Sequence, residues 1–193
     1  MTSVVRCMLF KLGALFVVVA TTLGCTTRDA VPESNFRGAQ AGIGRERVGS
    51  ISVGASIDSV LTGASLLRDE ERRAIGGGDR ERFLTIAVSG DTLEIVPAGG
   101  RVLEIALRST RLRTSDNLGV GTTAAELARR NILVAQIDGS GLAVNLVAHC
   151  GLDLLIEGVP GETGTVFSTR KLSQLGERWR VSQVVVRACL VGQ

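Results

Sequence analysis

The stretch Arg113–Asn131, RTSDNLGVGTTAAELARRN, reads as the end of a strand, a turn and the capped start of a short helix. Asp116-Asn117 supplies the turn, because Asn tolerates a positive φ and both side chains can bond nearby backbone. Thr123-Ala-Ala-Glu126 fits a capping box: the hydroxyl takes one orphan amide and the carboxylate reaches back to another. Leu127 begins the buried face and Asn131 closes the helix. A weaker copy lies upstream, where Ile51-Ser-Val-Gly-Ala-Ser-Ile-Asp-Ser-Val-Leu61 aligns with Leu118-Gly-Val-Gly-Thr-Thr-Ala-Ala-Glu-Leu-Ala128. Two helix entries, each followed by strand-like sequence, predict an α+β fold. It would be a duplicated unit of one or two short helices followed by an antiparallel β meander, with repeats at about 48–111 and 112–193.

In the first repeat, Ser56 caps a helix through Leu61, with Ile57, Val60 and Leu61 on one face, and Gly63 breaks it. A second helix is expected over Ser65–Ile75, stopped by Gly76-Gly77-Gly78. That glycine run is no phosphate cradle, since no strand leads in and no Lys-Ser/Thr follows. Three strands are expected next: Phe83–Val88, Thr92–Val96 and Arg101–Arg108, with Leu103, Ile105 and Leu107 facing inward. If Leu93 and Ile95 share that core, Glu94 and Glu104 emerge together on the outer face. Paired carboxylates can act as acid and base or hold a cation. The same alternation also simply places charge in water, and the pattern offers no third ligand.

The second repeat continues with Ile132–Ile137 and Leu142–Ala148 around Asp138-Gly139-Ser140-Gly141, a strong hairpin signal. Ser140 lacks the strand-to-helix setting and G-x-S-x-G spacing of a nucleophile elbow. Leu152–Glu157 is a strand, Val159–Gly164 a loop, Thr169–Leu175 a helical turn or two, and Trp179–Val191 the last strand. His149 is the only histidine. It sits beside Cys150, but neighbours on a strand point to opposite faces, so an exposed or locally bonded imidazole is expected instead of a Cys–His pair or metal site.

At the other end, Arg6 and Lys11 precede an apolar run from Leu12 to Gly24, as in a secretory signal. Removing those two cations from 22 basic residues leaves 20 against 19 acidic ones, a net charge of +1. With aromatics at 3%, the chain has neither the basic excess nor the stacking side chains of a nucleic-acid binder. Residues 26 to about 46 are polar and without period, a flexible tether spanning on the order of 25 Å. Gly42-Ile43-Gly44 within it is too short for a dinucleotide fingerprint. No cofactor motif, metal-ligand cluster or catalytic constellation is evident.

Thr22-Leu23-Gly24-Cys25 resembles the lipobox of bacterial lipoproteins. The resemblance implies a signal peptide over 1–24, a diacylated Cys25 as the mature N-terminus, a tether over 25–47 and one domain over 48–193. Thr26 in place of Asp would fit sorting to an outer membrane facing the periplasm. The stretch from Gly99 through Asp116-Asn117-Leu-Gly-Val-Gly-Thr-Thr-Ala-Ala-Glu126 is similar to a pattern in uncharacterised bacterial secreted proteins and lipoproteins. That pattern carries Gly where this chain has Asn117, and a Tyr-Gly that this chain lacks. More distantly, the repeated unit resembles β-lactamase inhibitor proteins and the small lipoprotein of the outer-membrane barrel-assembly machine.

Once Cys7 leaves with the leader and Cys25 takes lipid, Cys150 and Cys189 remain, an even pair for an oxidising compartment. A bridge closing about 40 residues would contribute roughly 4 kcal/mol in the chain-entropy model. Against it, strand alternation places Cys150 on the apolar face and Cys189 on the mixed face of Gln183 and Arg187, which leaves two separate thiols as the alternative. The expectation is a membrane-anchored, non-enzymatic envelope module that binds a protein or polymer partner. An inhibitor-like module docking through Gly158–Gly164 or Gly76–Gly78, and an enzyme using Glu94 and Glu104, are the alternatives. Labelled palmitate should enter the wild-type chain in a bacterial host and be lost in Cys25→Ser; label retained by the variant would rule out lipidation there.

Overall fold

Short apolar runs in alternation, separated by turns that tolerate positive φ, organise this chain into sheet. The computed structural model describes residues 42–73, 80–139 and 141–189. The leader, Cys25, the tether up to residue 41, Gly76–Gly78 and Ser140 lie outside the described residues. Three two-residue strands, β1 (Ile43–Gly44), β2 (Arg47–Val48) and β3 (Ile51–Ser52), form a small antiparallel sheet. Then follow α1 (Ile57–Gly63), β4 (Ser65–Arg73), β5 (Arg80–Val88), β6 (Asp91–Ala98) and β7 (Arg101–Leu107). The rest comprises α2 (Ala124–Leu127), β8 (Ile132–Asp138), β9 (Gly141–Leu146), β10 (Leu152–Ile156), α3 (Thr169–Leu175) and β11 (Gln183–Arg187).

The eight strands from β4 on form one antiparallel sheet in the order β4-β5-β6-β7-β11-β10-β9-β8. The architecture is antiparallel β with a few short helices. Ser89 (φ 51°) and Gly90 (φ 81°) turn β5 into β6, and Gly99 (φ 56°) and Gly100 (φ 75°) turn β6 into β7. Both are two-residue turns with positive φ at both positions, whose twist matches that of the strands they join. β11, the last described strand, does not sit at an edge. It pairs with β7 on one side and β10 on the other, with Val185 opposite both Ala106 and Asp153.

One face of the large sheet is covered. Leu84, Ile86, Leu93, Ile95, Ile105, Leu107, Val144, Leu154 and Val184 pack there with Ile57 and Val60 of α1, Leu127 of α2 and Leu172 of α3. Ile43, Val48 and Ile51 of the small sheet join the same cluster. Each fully buried Leu or Ile contributes about 1.5–3 kcal/mol relative to exposure.

Several expectations need correction. Ser65–Arg73 is a strand, not the start of a helix. LLRDEERR has good helix formers but no apolar face to bury, and ladder pairing with β5 over Ser65–Arg73 outweighs propensity. The small sheet reaches into the segment read as tether, because Ile43 is buried and its amide donates to the Arg113 carbonyl at 2.9 Å. Leu103 points outward and is 53% exposed. The register with β6 slips there, from Val96 opposite Glu104 to Pro97 opposite Val102, and leaves Leu103 as the extra residue of a bulge. The last strand is confined to Gln183–Arg187.

The stretch Arg113–Asn131 is a polar knot. The Arg113 guanidinium donates to the Asn117 carbonyl (3.0 Å) and the Val120 carbonyl (2.9 Å). The Leu118 amide donates to the Thr114 hydroxyl (2.9 Å), and the Gly119 amide to the Thr122 hydroxyl (3.0 Å). Asn117 has φ 66°. Both halves of the capping box are present: the Glu126 amide donates to the Thr123 hydroxyl, and the Thr123 amide to the Glu126 carboxylate at 2.7 Å. The Thr123 amide and then the Thr123 hydroxyl, which also donates to that carboxylate at 3.0 Å, hold the Glu126 carboxyl below its usual range. Thr123→Ala should destabilise the domain by about 1–2 kcal/mol, read from the denaturant midpoint, whereas Thr123→Ser should recover most of the loss.

Candidate functional site

The uncovered face of the large sheet carries a coherent set of side chains. Strand alternation sends Thr85, Glu94, Ala106, Val185, Asp153 and Asn145 outward along one row across six strands. Phe83, Val96, Glu104 and Arg187 form the row beside it. Val96, Ala106, Leu155 and Val185 are buried although they lie outside the main core. They form the apolar floor of this face, and longer polar side chains rise around it.

Those polar side chains are paired with one another. Arg187 Nε donates to Glu104 at 2.6 Å, and its Nη1 lies 2.8 Å from the Asp153 carboxylate. Partial burial would lower the Arg187 pKa, but the Glu104 and Asp153 carboxylates outweigh it and hold the guanidinium charged. Arg72 pairs with Glu94 and Glu70, and its guanidinium lies 4.0 Å from the Phe83 ring centre. Arg108 reaches Gln183 at 2.8 Å and Glu157 at 2.7 Å. Between Arg72 and Arg108 the surface dips into a groove of about 450 Å³, lined also by Thr85, Thr92, Ala106 and Ser109. At its rim, Asp91 accepts from Ser109 at 2.6 Å.

Glu94 and Glu104 do share this face, as alternation requires. They are not opposite one another: Glu94 faces Ala106, and Glu104 faces Val96. Each is neutralised by its own arginine, so neither is placed as a free base or as half of a proton-sharing pair. Among the described residues no group of three or more His, Cys, Asp or Glu side chains is positioned to hold a metal.

A second cluster lies where the small sheet meets the turn after β9. His149 Nε2 is 3.0 Å from Asp116 Oδ1, while Thr114 donates its hydroxyl to the same carboxylate at 2.7 Å. Arg130 approaches Asp116 at 3.4 Å. Burial raises the Asp116 carboxyl, but the Thr114 and His149 hydrogen bonds outweigh it and leave the pKa below its usual value. A pocket of about 260 Å³ beside it is lined by Gly44, Arg45, Thr114, Ala148, His149 and Cys150.

Cys150 and Cys189 lie at disulfide distance with Cα atoms 5.2 Å apart. Alternation had set them on different faces, but β9 ends at Leu146 and β11 at Arg187, so neither cysteine obeys a strand period. Gly151 follows at φ 77°, where a Cβ would run into the Arg187 carbonyl, so the turn admits only glycine without rearrangement. Loop Gly158–Gly164 is held close to β8. Val159 is buried, the Gly164 amide donates to the Ile137 carbonyl at 2.8 Å, and the Phe167 amide donates to the Ala135 carbonyl at 2.7 Å. This loop segment covers the β8 edge.

No protein-family profile matches the chain, and no curated protein matches it. Among solved structures, the crystal structure of the uncharacterized protein yfeY from Escherichia coli is similar, with a TM-score of 0.54 at 14% identity. The alignment covers 76% of this chain and 99% of that one. At that identity the likeness shows the fold alone. No helix among the described residues is long and apolar enough to cross a membrane.

The pairing of Arg187 with Glu104 and Asp153 was not foreseen, although the alternation of Gln183, Val185 and Arg187 could have flagged the outward row. The folded pKa values of Asp116 and Glu126 both lie below their unfolded values. Their contribution is therefore complete above the unfolded carboxylate range of about 4 and is lost as pH falls through the folded values. Thermal melts between pH 5 and 2 should show a falling midpoint, and Asp116→Asn should give a shallower fall from a lower starting point.

Proposed function

We propose that this chain is a lipid-anchored protein of the bacterial cell envelope and a non-enzymatic binding module, with the open sheet face as its docking surface for a protein partner. One observation carries the reading: the sheet is covered on one side only, and the other side has a buried apolar floor ringed by arginine–carboxylate pairs. A half-covered sheet normally turns a uniformly polar face to water. A desolvated apolar centre with a polar rim is the anatomy of an interface. The face carries both signs of charge in near balance, which suits a folded protein surface better than a polyelectrolyte.

The address rests on the lipobox-like Thr22–Cys25 and the apolar run before it. Cys25 would be the lipidation site, with the outer membrane facing the periplasm as its location. The disulfide between Cys150 and Cys189 suits that oxidising compartment. The two halves, each a helix followed by strands that meet along β7 and β11, are consistent with an ancestral duplication. The carboxylate-pair enzyme loses its appeal because Arg72 and Arg187 neutralise Glu94 and Glu104.

The test is a photo-crosslinking residue at Thr85 or Gln183, expressed in the native envelope, with Ala106→Arg and Cys25→Ser copies alongside. One dominant crosslinked protein, lost in Ala106→Arg although the variant still folds, supports the reading. Capture unchanged by Ala106→Arg would remove the sheet face from consideration. A hydrolase activity of the purified domain, abolished by one side-chain change, would overturn the non-enzymatic assignment.

A further inference from the structure

The helical side of the domain carries a charge excess that the open face does not. In segments 123–131 and 168–181, six cations (Arg129, Arg130, Arg170, Lys171, Arg178 and Arg180) accompany two carboxylates, Glu126 and Glu177. The other described residues hold 12 basic and 14 acidic side chains, so the basic excess is confined to this layer. The two segments belong together: the Ala124 amide donates to the Trp179 carbonyl at 2.8 Å, and Thr123 bridges Arg180. Leu127 and Leu172 point into the core, which leaves the cations on the outside, and all six are exposed.

These cations are poorly neutralised. Glu126 is held by the cap at Thr123 and acts on Arg129 and Arg180 only through space, without an ion-pair contact to either. Arg130 is shared with Asp116, and Arg180 donates to the Gly121 carbonyl at 3.1 Å. Among the described residues, Arg129, Arg170, Lys171 and Arg178 have no ion-pair partner. This contrasts with the open face, where Arg72, Arg108 and Arg187 each have one. An unpaired cluster of long cationic side chains, held together on one layer, is complementary to an array of fixed phosphates.

The position of the tether selects which array. The amide of Ile43, at the start of β1, bonds the Arg113 carbonyl, and Asp116 three residues further along that knot bonds Arg130. The described chain therefore begins on the knot that also reaches Arg130 of the basic layer. We infer that the α2/α3 face rests on anionic phospholipid headgroups of the membrane that holds the lipid anchor. A lipid anchor joined to a basic patch is the two-signal arrangement that gives stable membrane attachment. The inference rests on the anchored reading above, and it orients the domain with the open sheet face away from the bilayer.

The experiment uses the full chain, purified from its host in detergent and reconstituted into vesicles of phosphatidylcholine alone or with phosphatidylglycerol. Flotation of the neutral vesicles reads the anchor, and hydrogen exchange reads the patch. Amides of Thr169–Leu175 should exchange about fivefold or more slowly in the anionic vesicles than in the neutral ones, given the attraction of each basic side chain near such a surface. The difference should vanish at high salt, because a surface contact is screened. It should also vanish in Arg129→Gln/Arg170→Gln/Lys171→Gln/Arg178→Gln, with β7 and β11 exchange unchanged as the control for folding. Equal exchange in both vesicles overturns the inference while flotation still upholds the anchor. Protection by a soluble polyanion but not by anionic vesicles also overturns it, in favour of an envelope polymer. Failure to float with neutral vesicles counts against the anchor alone, and anionic vesicles then still read the patch on the unanchored chain.

Discussion

The buried passage from β7 to α2 is the constraint on which the rest depends. Leu112, Thr114, Leu118, Val120, Thr122 and Thr123 are all buried along it, so its backbone groups cannot look to water. They are satisfied by the Arg113 guanidinium, the hydroxyls of Thr114 and Thr122, and backbone at Ile43 and Val181. The first three belong to the passage itself, and the last two come from distant segments. Ile43 brings the small sheet, and Val181 brings the segment between α3 and β11. A loop that must be dry and satisfied thus holds two other segments in place at once. Among the described residues no buried side-chain nitrogen or oxygen is left without a partner.

The same arrangement divides the surface into two electrostatic characters. On the open sheet, Arg187 takes Glu104 from the facing position on β7 and Asp153 from β10, while Arg72 takes Glu70 from its own strand and Glu94 from β6, one strand beyond its neighbour. On the helical side only Arg130 meets a carboxylate, Asp116, and among the described residues Arg170 and Lys171 have no ion-pair partner. One side is therefore internally neutralised around an apolar centre, and the other carries an excess of positive charge, most of it without an ion-pair partner among the described residues. A surface of the first kind gains little from long-range attraction and depends on fit. A surface of the second kind acts at a distance and fades with salt.

What the sequence revealed was local. Thr123 and Glu126 lie three residues apart, so the capping box could be read from spacing, and the hairpin turns could be read from glycines. The helix Thr169–Leu175 was read from its own pattern. Ser65–Arg73 misled because its residues favour a helix in isolation, and only the ladder to β5 makes them a strand. Leu103 misled because its bulge depends on the register of β6. The site was less legible still. Arg187 meets Glu104 across 83 residues, and His149 meets Asp116 across 33, distances over which periodicity says nothing. The outward row of the open face was half visible in Glu94 and Glu104, but their partners were not.

The central place of β11 has a consequence for how the chain acquires its fold. The strand that completes the sheet is the last to be made, and it must enter between β7 and β10, joining residues about 80 positions apart in sequence. Until it arrives, the β4–β7 meander and the β8–β10 meander each present an open edge at what will become the middle of the sheet. Long-range closure of this kind is slow, and open edges invite pairing with other chains. The incoming segment is itself Val184-Val185-Val186, a run with high β propensity. Gln183 and Arg187 bracket it, a polar residue on one side and a charge on the other, as gatekeepers flank an unavoidable sticky strand. A truncation before Gln183 would therefore leave two unclosed half-sheets, not a slightly shortened domain.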